Sequence, residues 1–215
     1  MTRPILYDYW RSSASYRVRI ALALKGVDHE RVAINLLDDA QQAPGYKARN
    51  PQGLVPMLEV GEERLTQSLA IIDRLDSLWP EPRLLPTDPA ARAAVLEMAL
   101  VIAADIHPVD NLRVLKYLTR LGIEKPARDQ WYRHWIAEGF AALEALALKR
   151  AGRFLFGDSV TLADICLVPQ MFNARRFECP LEGYPTLVRV DAAARALPAF
   201  AAAHPERVAP EGAPR

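Results

Sequence analysis

The sequence predicts a chain of two parts, a mixed α/β half followed by an all-helical half. Up to about residue 80, short apolar runs alternate with helical patterns, whereas beyond it almost every segment has helical periodicity and is rich in Ala and Leu. Between the halves lies a stretch too rich in proline for a regular helix or a central strand. Its prolines are Pro80, Pro82, Pro86 and Pro89. The predicted parts are an N-terminal domain over residues 1–80, a linker over 81–88 and a helical C-terminal domain over 89–215.

The first half predicts strands and helices in the order β-α-β-α-β-β-α. Residues 13–25 have the spacing of a helix, and Gly26 ends it because glycine readily adopts the left-handed conformation that follows a helix. The third helix is indicated by the apolar positions Leu69, Ile72, Leu75 and Trp79. The predicted strands cover 4–7, 30–35, 55–60 and a short segment around 64–65.

This order of elements indicates an α/β thioredoxin-like domain joined to an all-α domain. The redox motif of that fold is absent, because no Cys-x-x-Cys follows the first strand. The segment Arg11-Ser12-Ser13-Ala14-Ser15 occupies the place of that motif. Because it carries hydroxyls rather than thiols, we expect the domain to bind the thiol of another molecule instead of exchanging disulfides.

The second half predicts four long helices. They cover about 89–120, 126–150, 161–176 and 185–196. Pro108 is expected to kink or break the first of them. Thr161 and Asp164 form a capping box at the start of the third, with Val160 expected to pack against Ile165. We assign this motif a structural role.

The composition argues against several classes of protein. With 27 Lys and Arg against 26 Asp and Glu, the net charge is +1, which gives no electrostatic basis for binding nucleic acid or an anionic membrane surface. No apolar run approaches the roughly 20 residues of a membrane span, and the N-terminus lacks a signal-peptide core. Cys166 and Cys179 lack metal-ligand spacing and are too few for a disulfide framework, so we expect them to pack in the interior. These features predict a cytoplasmic protein without a metal.

Serines cluster where the first helix begins, in Ser12-Ser13-Ala14-Ser15. The ordinary interpretation of such a serine is a helix cap. A helix N-terminus also favours an anion, and a serine hydroxyl there donates a hydrogen bond to a thiolate. Lowering a thiol pKa from ~8.5 to ~6.5 requires about 2.7 kcal/mol, which one charge-assisted hydrogen bond and the helix dipole supply.

Two further motifs each have a structural and a functional interpretation. Val55-Pro56 is either a loop with a proline at the start of an edge strand, or a cis peptide that presents the Val55 backbone to an extended, peptide-like ligand. Gln67-Ser68 is either a helix cap or a cradle for a carboxylate at a helix N-terminus. In a thioredoxin-like fold these two places converge with the Ser12 turn on one surface. Together they describe a glutathione site.

Three motifs carry a resemblance to a known family. They read Ser-Ser-x-Ser-x-Arg-Val-Arg-Ile-Ala-Leu, Asn-Pro-x-x-x-Val-Pro and Gln-Ser-x-Ala-Ile-Ile. They resemble the zeta class of glutathione transferases, and the resemblance extends over essentially the whole chain. It implies the glutathione transferase architecture, glutathione as cofactor and a homodimer. Ala14 stands where many members have cysteine, which removes a thiol but leaves Ser12 and Ser13.

The resemblance also implies roles for individual residues. Ser12 becomes the hydroxyl that stabilises the thiolate, supported by Ser13 and Arg17. The implied cofactor contacts are Ser12, Ser13, Ala14, Ser15, Arg17, Gln42, Val55, Gln67, Ser68, His107, Asn111 and Arg113. Arg176 is implied to orient a substrate carboxylate, helped by Arg11, because a guanidinium fork suits a dicarboxylate.

The best-known activity of the class is maleylacetoacetate isomerisation. Glutathione thiolate adds to the cis double bond, the resulting single bond rotates, and elimination gives fumarylacetoacetate without consuming glutathione. The alternatives are maleylpyruvate isomerisation, glutathione transfer to small α-halo acids, and a non-catalytic scaffold. The complete set of Ser12, Gln67 and Ser68 argues against the scaffold.

Overall fold

The computed structural model describes residues 3–212, which form two compact units. The first unit comprises the chain up to Leu84 together with the chain from Ala196 onward, and the second is Leu85–Arg195. The residues after 195, which the sequence prediction places in the helical domain, therefore group with the first unit. The physical reason is that a short helix of this segment packs against the first helix of the chain.

A four-stranded mixed sheet forms the centre of the first unit. Its strands are β1 (Ile5–Asp8), β2 (Glu30–Ala33), β3 (Met57–Val60) and β4 (Glu63–Thr66). Their order across the sheet is β2-β1-β3-β4, with β1 and β2 parallel and the other two pairs antiparallel. In the register, Leu6 lies opposite Leu58, and Leu58 lies opposite Leu65. This sheet confirms the predicted thioredoxin-like domain.

Ten α-helices are assigned over the described residues, and they are numbered here in chain order. They are α1 (Ser13–Leu24), α2 (Pro44–Lys47), α3 (Ser68–Leu78), α4 (Pro89–Leu100), α5 (Leu112–Arg120), α6 (Lys125–Arg150), α7 (Leu162–Arg176), α8 (Pro185–Arg195), α9 (Pro198–Ala203) and α10 (Pro205–Val208). In addition, Ala40–Gln42 forms a 3₁₀ turn and Val101–Ile106 a π-helical turn. No helix within residues 3–212 has both the length and the apolar character needed to cross a membrane.

The single helix predicted over 89–120 is interrupted. The α-helix ends at Leu100, the π-helical turn Val101–Ile106 follows, and α5 starts again at Leu112. The interruption surrounds Pro108, so the predicted break is present. The π-helical turn was not predicted, and such turns often occur at functional sites.

The capping box at the start of α7 is present as predicted. Asp164 accepts hydrogen bonds from the backbone N–H of Thr161 and Leu155, each at 2.8 Å, and from the Thr161 hydroxyl at 3.0 Å. Burial raises the pKa of Asp164 to about 6, although these hydrogen bonds act in the opposite direction. The box therefore ties the loop at Leu155 to the start of a buried helix.

Candidate active site

The Ser12 turn connects β1 to α1. It carries the hydroxyl that is the candidate hydrogen-bond donor to a thiolate. Ser12 is the N-cap of α1, and its Oγ accepts a hydrogen bond from the Ser15 backbone N–H at 3.2 Å. Its own N–H donates to the Tyr9 carbonyl at 2.8 Å. Because the oxygen accepts the capping bond, the hydroxyl proton is left to be donated to a ligand. Ser13 and Ser15 are buried, whereas Ser12 and Ala14 are half-buried.

A buried arginine fixes the loop in front of Ser12. Arg19 is 3% exposed and forms an ion pair with the buried carboxylate of Asp8 at 2.7 Å. The same guanidinium donates to the Trp10 carbonyl at 3.0 Å. Arg31 binds the second oxygen of Asp8 at 2.7 Å, so the buried carboxylate is neutralised from two sides. Arg11, the predicted substrate contact, lies 4.4 Å from the centre of the Trp10 ring.

The loop before β3 contains a cis peptide between Val55 and Pro56, which agrees with the functional one of the two interpretations. Val55 is half-buried against a small apolar cluster that includes Tyr46. The Tyr46 hydroxyl donates to the Leu54 carbonyl at 2.6 Å, and Gln42 Nε2 donates to the Gly53 carbonyl at 3.3 Å. Gln42, which the resemblance implies, and Val55, which its own motif singled out, therefore belong to one loop system.

The start of α3 brings a second pair of predicted residues together. Gln67, the N-cap of this helix, has φ +67°, a left-handed conformation that is costly for a residue with a side chain and concentrates at functional sites. Ser68 is buried, and its Oγ accepts a hydrogen bond from Arg17 Nη1 at 3.3 Å. Arg17 is 2% exposed. A buried cation beside a helix N-terminus suits a carboxylate.

In the second unit, three predicted residues follow the π-helical turn. His107 is half-buried, Asn111 caps α5 by accepting a hydrogen bond from the Arg113 N–H at 3.1 Å, and the Arg113 side chain is exposed. The Trp131 indole donates to the Val109 carbonyl at 3.0 Å and so fixes this segment to α6. Arg176, at the end of α7, lines a cavity of the same unit.

Asp110 lies among these residues, and no pattern in the sequence singled it out. It is 5% exposed, and neither of its carboxylate oxygens has a hydrogen-bond partner among the described residues. Burial raises its pKa to about 8, so the side chain is mostly protonated at neutral pH. An aspartate next to an N-cap asparagine usually faces water, and only the packing of the turn shows that this one does not.

Comparisons with known proteins agree with one family. The sequence profile of the family described as "Glutathione S-transferase, N-terminal domain" matches residues 4–77. The chain is 50% identical over 205 residues to a probable maleylacetoacetate isomerase of Vibrio cholerae, covering 94% of this chain and 95% of the relative.

Solved structures give the same result. The holo structure of a maleylpyruvate isomerase, described as a bacterial zeta-class glutathione S-transferase, matches with a TM-score of 0.93 and 45% identity over 97% of this chain and 100% of the other. A maleylacetoacetate isomerase of Methylobacterium extorquens AM1, solved with malonate and glutathione bound, matches with a TM-score of 0.93 and 40% identity, covering 98% and 100% of the two chains.

Proposed function

Since the chain belongs to the maleylacetoacetate isomerase family of zeta-class glutathione transferases, we propose that it converts maleylacetoacetate to fumarylacetoacetate with glutathione as its cofactor. The observation that carries the proposal is the Ser12 hydroxyl, which caps α1 through its oxygen and keeps its proton for a thiolate. The fit of the Arg17–Ser68 pair to a carboxylate supports it. Bound glutathione supplies a thiolate nucleophile that adds reversibly to the double bond and allows it to rotate.

The first unit holds the cofactor in this proposal. Ser12 donates its hydroxyl proton to the sulfur, and the N-terminus of α1, at Ala14 and Ser15, adds positive potential there. Ser13 and Arg17 support the turn. The remaining proposed contacts to the peptide backbone and the γ-glutamyl end are Gln42, Val55, Gln67 and Ser68.

The roles of the second-unit residues are also proposals. His107, Asn111 and Arg113 contribute further contacts to the cofactor. Arg176 binds a carboxylate of the substrate and stabilises the enolate-like charge that forms when a nucleophile adds to the double bond, and Arg11 of the first unit has the same proposed role. We further propose that the protein is a cytoplasmic homodimer. Light scattering at micromolar concentration tests the dimer, and a mass equal to one chain contradicts it.

The experiment that tests the activity compares kcat/KM for maleylacetoacetate and maleylpyruvate, each with and without glutathione. We expect glutathione-dependent isomerisation that is faster with maleylacetoacetate. Faster turnover of maleylpyruvate supports the second candidate, which the 45% identity to a maleylpyruvate isomerase favours. Activity confined to small α-halo acids contradicts both isomerases.

Binding of the cofactor is tested separately from catalysis. A ligand that binds only the folded protein stabilises it by mass action, so millimolar glutathione should raise the melting temperature. S-methylglutathione, which cannot form a thiolate, should also bind because the peptide contacts remain. If neither compound shifts the melting temperature, the proposed cofactor site is wrong.

A further inference from the structure

The second unit contains a cavity of about 530 Å³ with a strongly cationic wall, and we call it the arginine cavity. It is bounded by α5, by the first turns of α6 and by the end of α7. Its volume is in the range of pockets that hold small metabolites. Its cationic lining residues are Lys116, Lys125, Arg128, Arg133 and Arg176. Only two acids, Asp129 and Glu178, line it as well.

Most of this positive charge is not neutralised by the protein. Asp129 is paired with Lys125 at 2.5 Å, which cancels one charge of each sign. Among the described residues, no carboxylate forms an ion pair with Arg128, Arg133 or Arg176, and Glu178 forms none with any cation. Three guanidinium groups therefore converge on a cavity with one remaining acid, so the cavity has an excess of positive charge that favours an anionic ligand.

Two of these arginines lie close to titratable side chains of neighbouring segments. Tyr132 is 3% exposed and its ring stacks on Phe177 with 3.6 Å between ring centres. Burial raises the pKa of the Tyr132 hydroxyl, and the nearby Arg176 guanidinium acts against this shift. Arg133 is half-buried and likewise acts against the rise in the pKa of Cys179 that burial causes. Arg176 and Arg133 thus stand beside the buried Tyr132 and the half-buried Cys179, within electrostatic reach of each.

The rest of the lining matches a ligand with an apolar middle. Leu112, Leu115 and Phe177 supply apolar surface in the same cavity. No residue of α5 is buried, and this helix contributes lining residues to the cavity. A cavity that combines guanidinium forks with apolar surface suits a short-chain dicarboxylate, because each fork binds one carboxylate bidentately.

We propose that the arginine cavity binds a short-chain dicarboxylate and that Arg133 is a carboxylate anchor beside Arg176, which makes it a specificity-determining residue. Such a ligand has two sources. The first is the dicarboxylate substrate itself, and for this source alone the inference rests on the proposed function. The second is a free dicarboxylate that binds without being converted. Both have the same chemistry, and the test separates them.

The test titrates malonate, with acetate as the monocarboxylate, into the protein saturated with glutathione. Calorimetry compares the unchanged protein with Arg133→Gln and Arg133→Lys. Loss of a hydrogen-bonded charge partner weakens binding about 10- to 150-fold, so we expect that loss for malonate in Arg133→Gln, with partial recovery in Arg133→Lys and little change for acetate. The matched control is Arg120→Gln, which removes the same charge from an exposed position of α5 that does not line the cavity.

Equal malonate affinity in the unchanged protein and in Arg133→Gln overturns the proposal. An equal loss of malonate affinity in Arg120→Gln also overturns it, because the malonate would then respond only to the general charge of the surface. Kinetics then distinguish the sources. Competitive inhibition by malonate, with KM raised and kcat preserved in Arg133→Gln, identifies the substrate. Malonate binding without competition identifies a separate ligand. Because calorimetry needs no turnover, failure of the isomerase assay alone refutes the proposed function and leaves this inference standing on the malonate result.

Discussion

At the scale of single residues, the Ser12 hydroxyl has two roles. Its oxygen caps α1, and its proton is free for a thiolate. Changing Ser12 to Ala removes both, so we expect the isomerase rate to fall about 10- to 150-fold, the value of one hydrogen bond to an anion. The thiol pKa of bound glutathione, measured by thiolate absorbance, should rise toward its free value.

Two variants separate the cap from the donor. Ser12→Asp keeps an acceptor for the Ser15 N–H but has no proton to donate, so it should keep the stability and lose the activity. Ser12→Thr keeps both functions and should stay active. If Ser12→Ala lowers the melting temperature while the thiol pKa and kcat stay unchanged, Ser12 is only a cap.

Asp110 should make stability depend on pH. Its pKa is about 8 in the folded protein and near the ordinary 3.8 when unfolded, so between these values the folded state holds a proton that the unfolded state has released. The free energy of unfolding therefore falls as pH rises, by at most about 1.4 kcal/mol per pH unit. Asp110→Asn stays neutral, so its advantage in melting temperature should grow from about pH 4 to pH 8 and then level off.

The neighbours of Asp110 do not obscure this test. Burial raises the pKa of Cys179 to about 11 and also raises that of Tyr132, so neither side chain titrates between pH 4 and 8. Other groups, such as Asp164, are present in both proteins and cancel in the difference. Melting curves at pH 5, 7 and 9 suffice, and a difference that is the same at all three contradicts the buried carboxyl.

Candidate site residues could be proposed from the sequence where a local rule applied. Ser12 and Ser68 stand at helix starts, and such positions can be recognised from the residue type and the helical pattern that follows. The bond from Arg17 to Ser68 joins residues 51 apart in the chain, and no local rule reports it. The burial of Asp110 depends in the same way on packing that only the folded structure defines.

At the scale of elements, the π-helical turn depends on a glycine in the helix beside it. A Cβ at Gly139 of α6 would lie 2.2 Å from Ile106 Cγ1 and 2.3 Å from Cδ1, and Ile106 is buried. We therefore expect Gly139→Ala to lower the free energy of unfolding by about 1–3 kcal/mol, the cost of overpacking a core. Denaturant unfolding measures the change.

The double variant Gly139→Ala with Ile106→Ala checks this explanation. Shortening Ile106 removes the clash. Gly139→Ala should therefore lower the free energy of unfolding less when Ile106→Ala is also present than when it is made alone, with a coupling of about 0.5 kcal/mol or more. Additive losses would show that Gly139 acts through something other than Ile106. Because the same turn leads to His107, the affinity for glutathione should fall in Gly139→Ala and recover in the double variant.

The interruption of the helix over 89–120 shows what periodicity can and cannot predict. Pro108 has no N–H to donate, so a break near it follows from the sequence alone. The π-helical turn before it does not, because its shape depends on how closely Ile106 approaches Gly139 of another helix. Similarly, the sequence predicted a strand over 55–60, whereas β3 starts at Met57, after the cis peptide.

At the scale of the whole molecule, the residues after 195 group with the first unit, although they follow the second unit in the chain. The sequence predicted one helical domain over residues 89–215, but a helical pattern does not say which surface a helix covers. In the structure Phe200 of α9 is fully buried, and the carbonyl of Ala203 accepts a hydrogen bond from Arg19 Nε at 3.1 Å. The end of the chain therefore completes the unit that the start of the chain begins.

This arrangement predicts that the last helices support the Ser12 loop. A chain ending after Ala196 loses buried Phe200, whose removal alone costs about 3–5 kcal/mol, and the acceptor of Arg19, which also holds the Trp10 carbonyl. We expect its melting temperature to fall sharply and its response to glutathione to disappear. A chain ending after Val208 keeps α9 and α10 and should behave like the full chain. If the shorter protein still melts at the original temperature and is still stabilised by glutathione, α9 adds nothing to the first unit, and the loop before Ser12 is held by Asp8 and Arg19 alone.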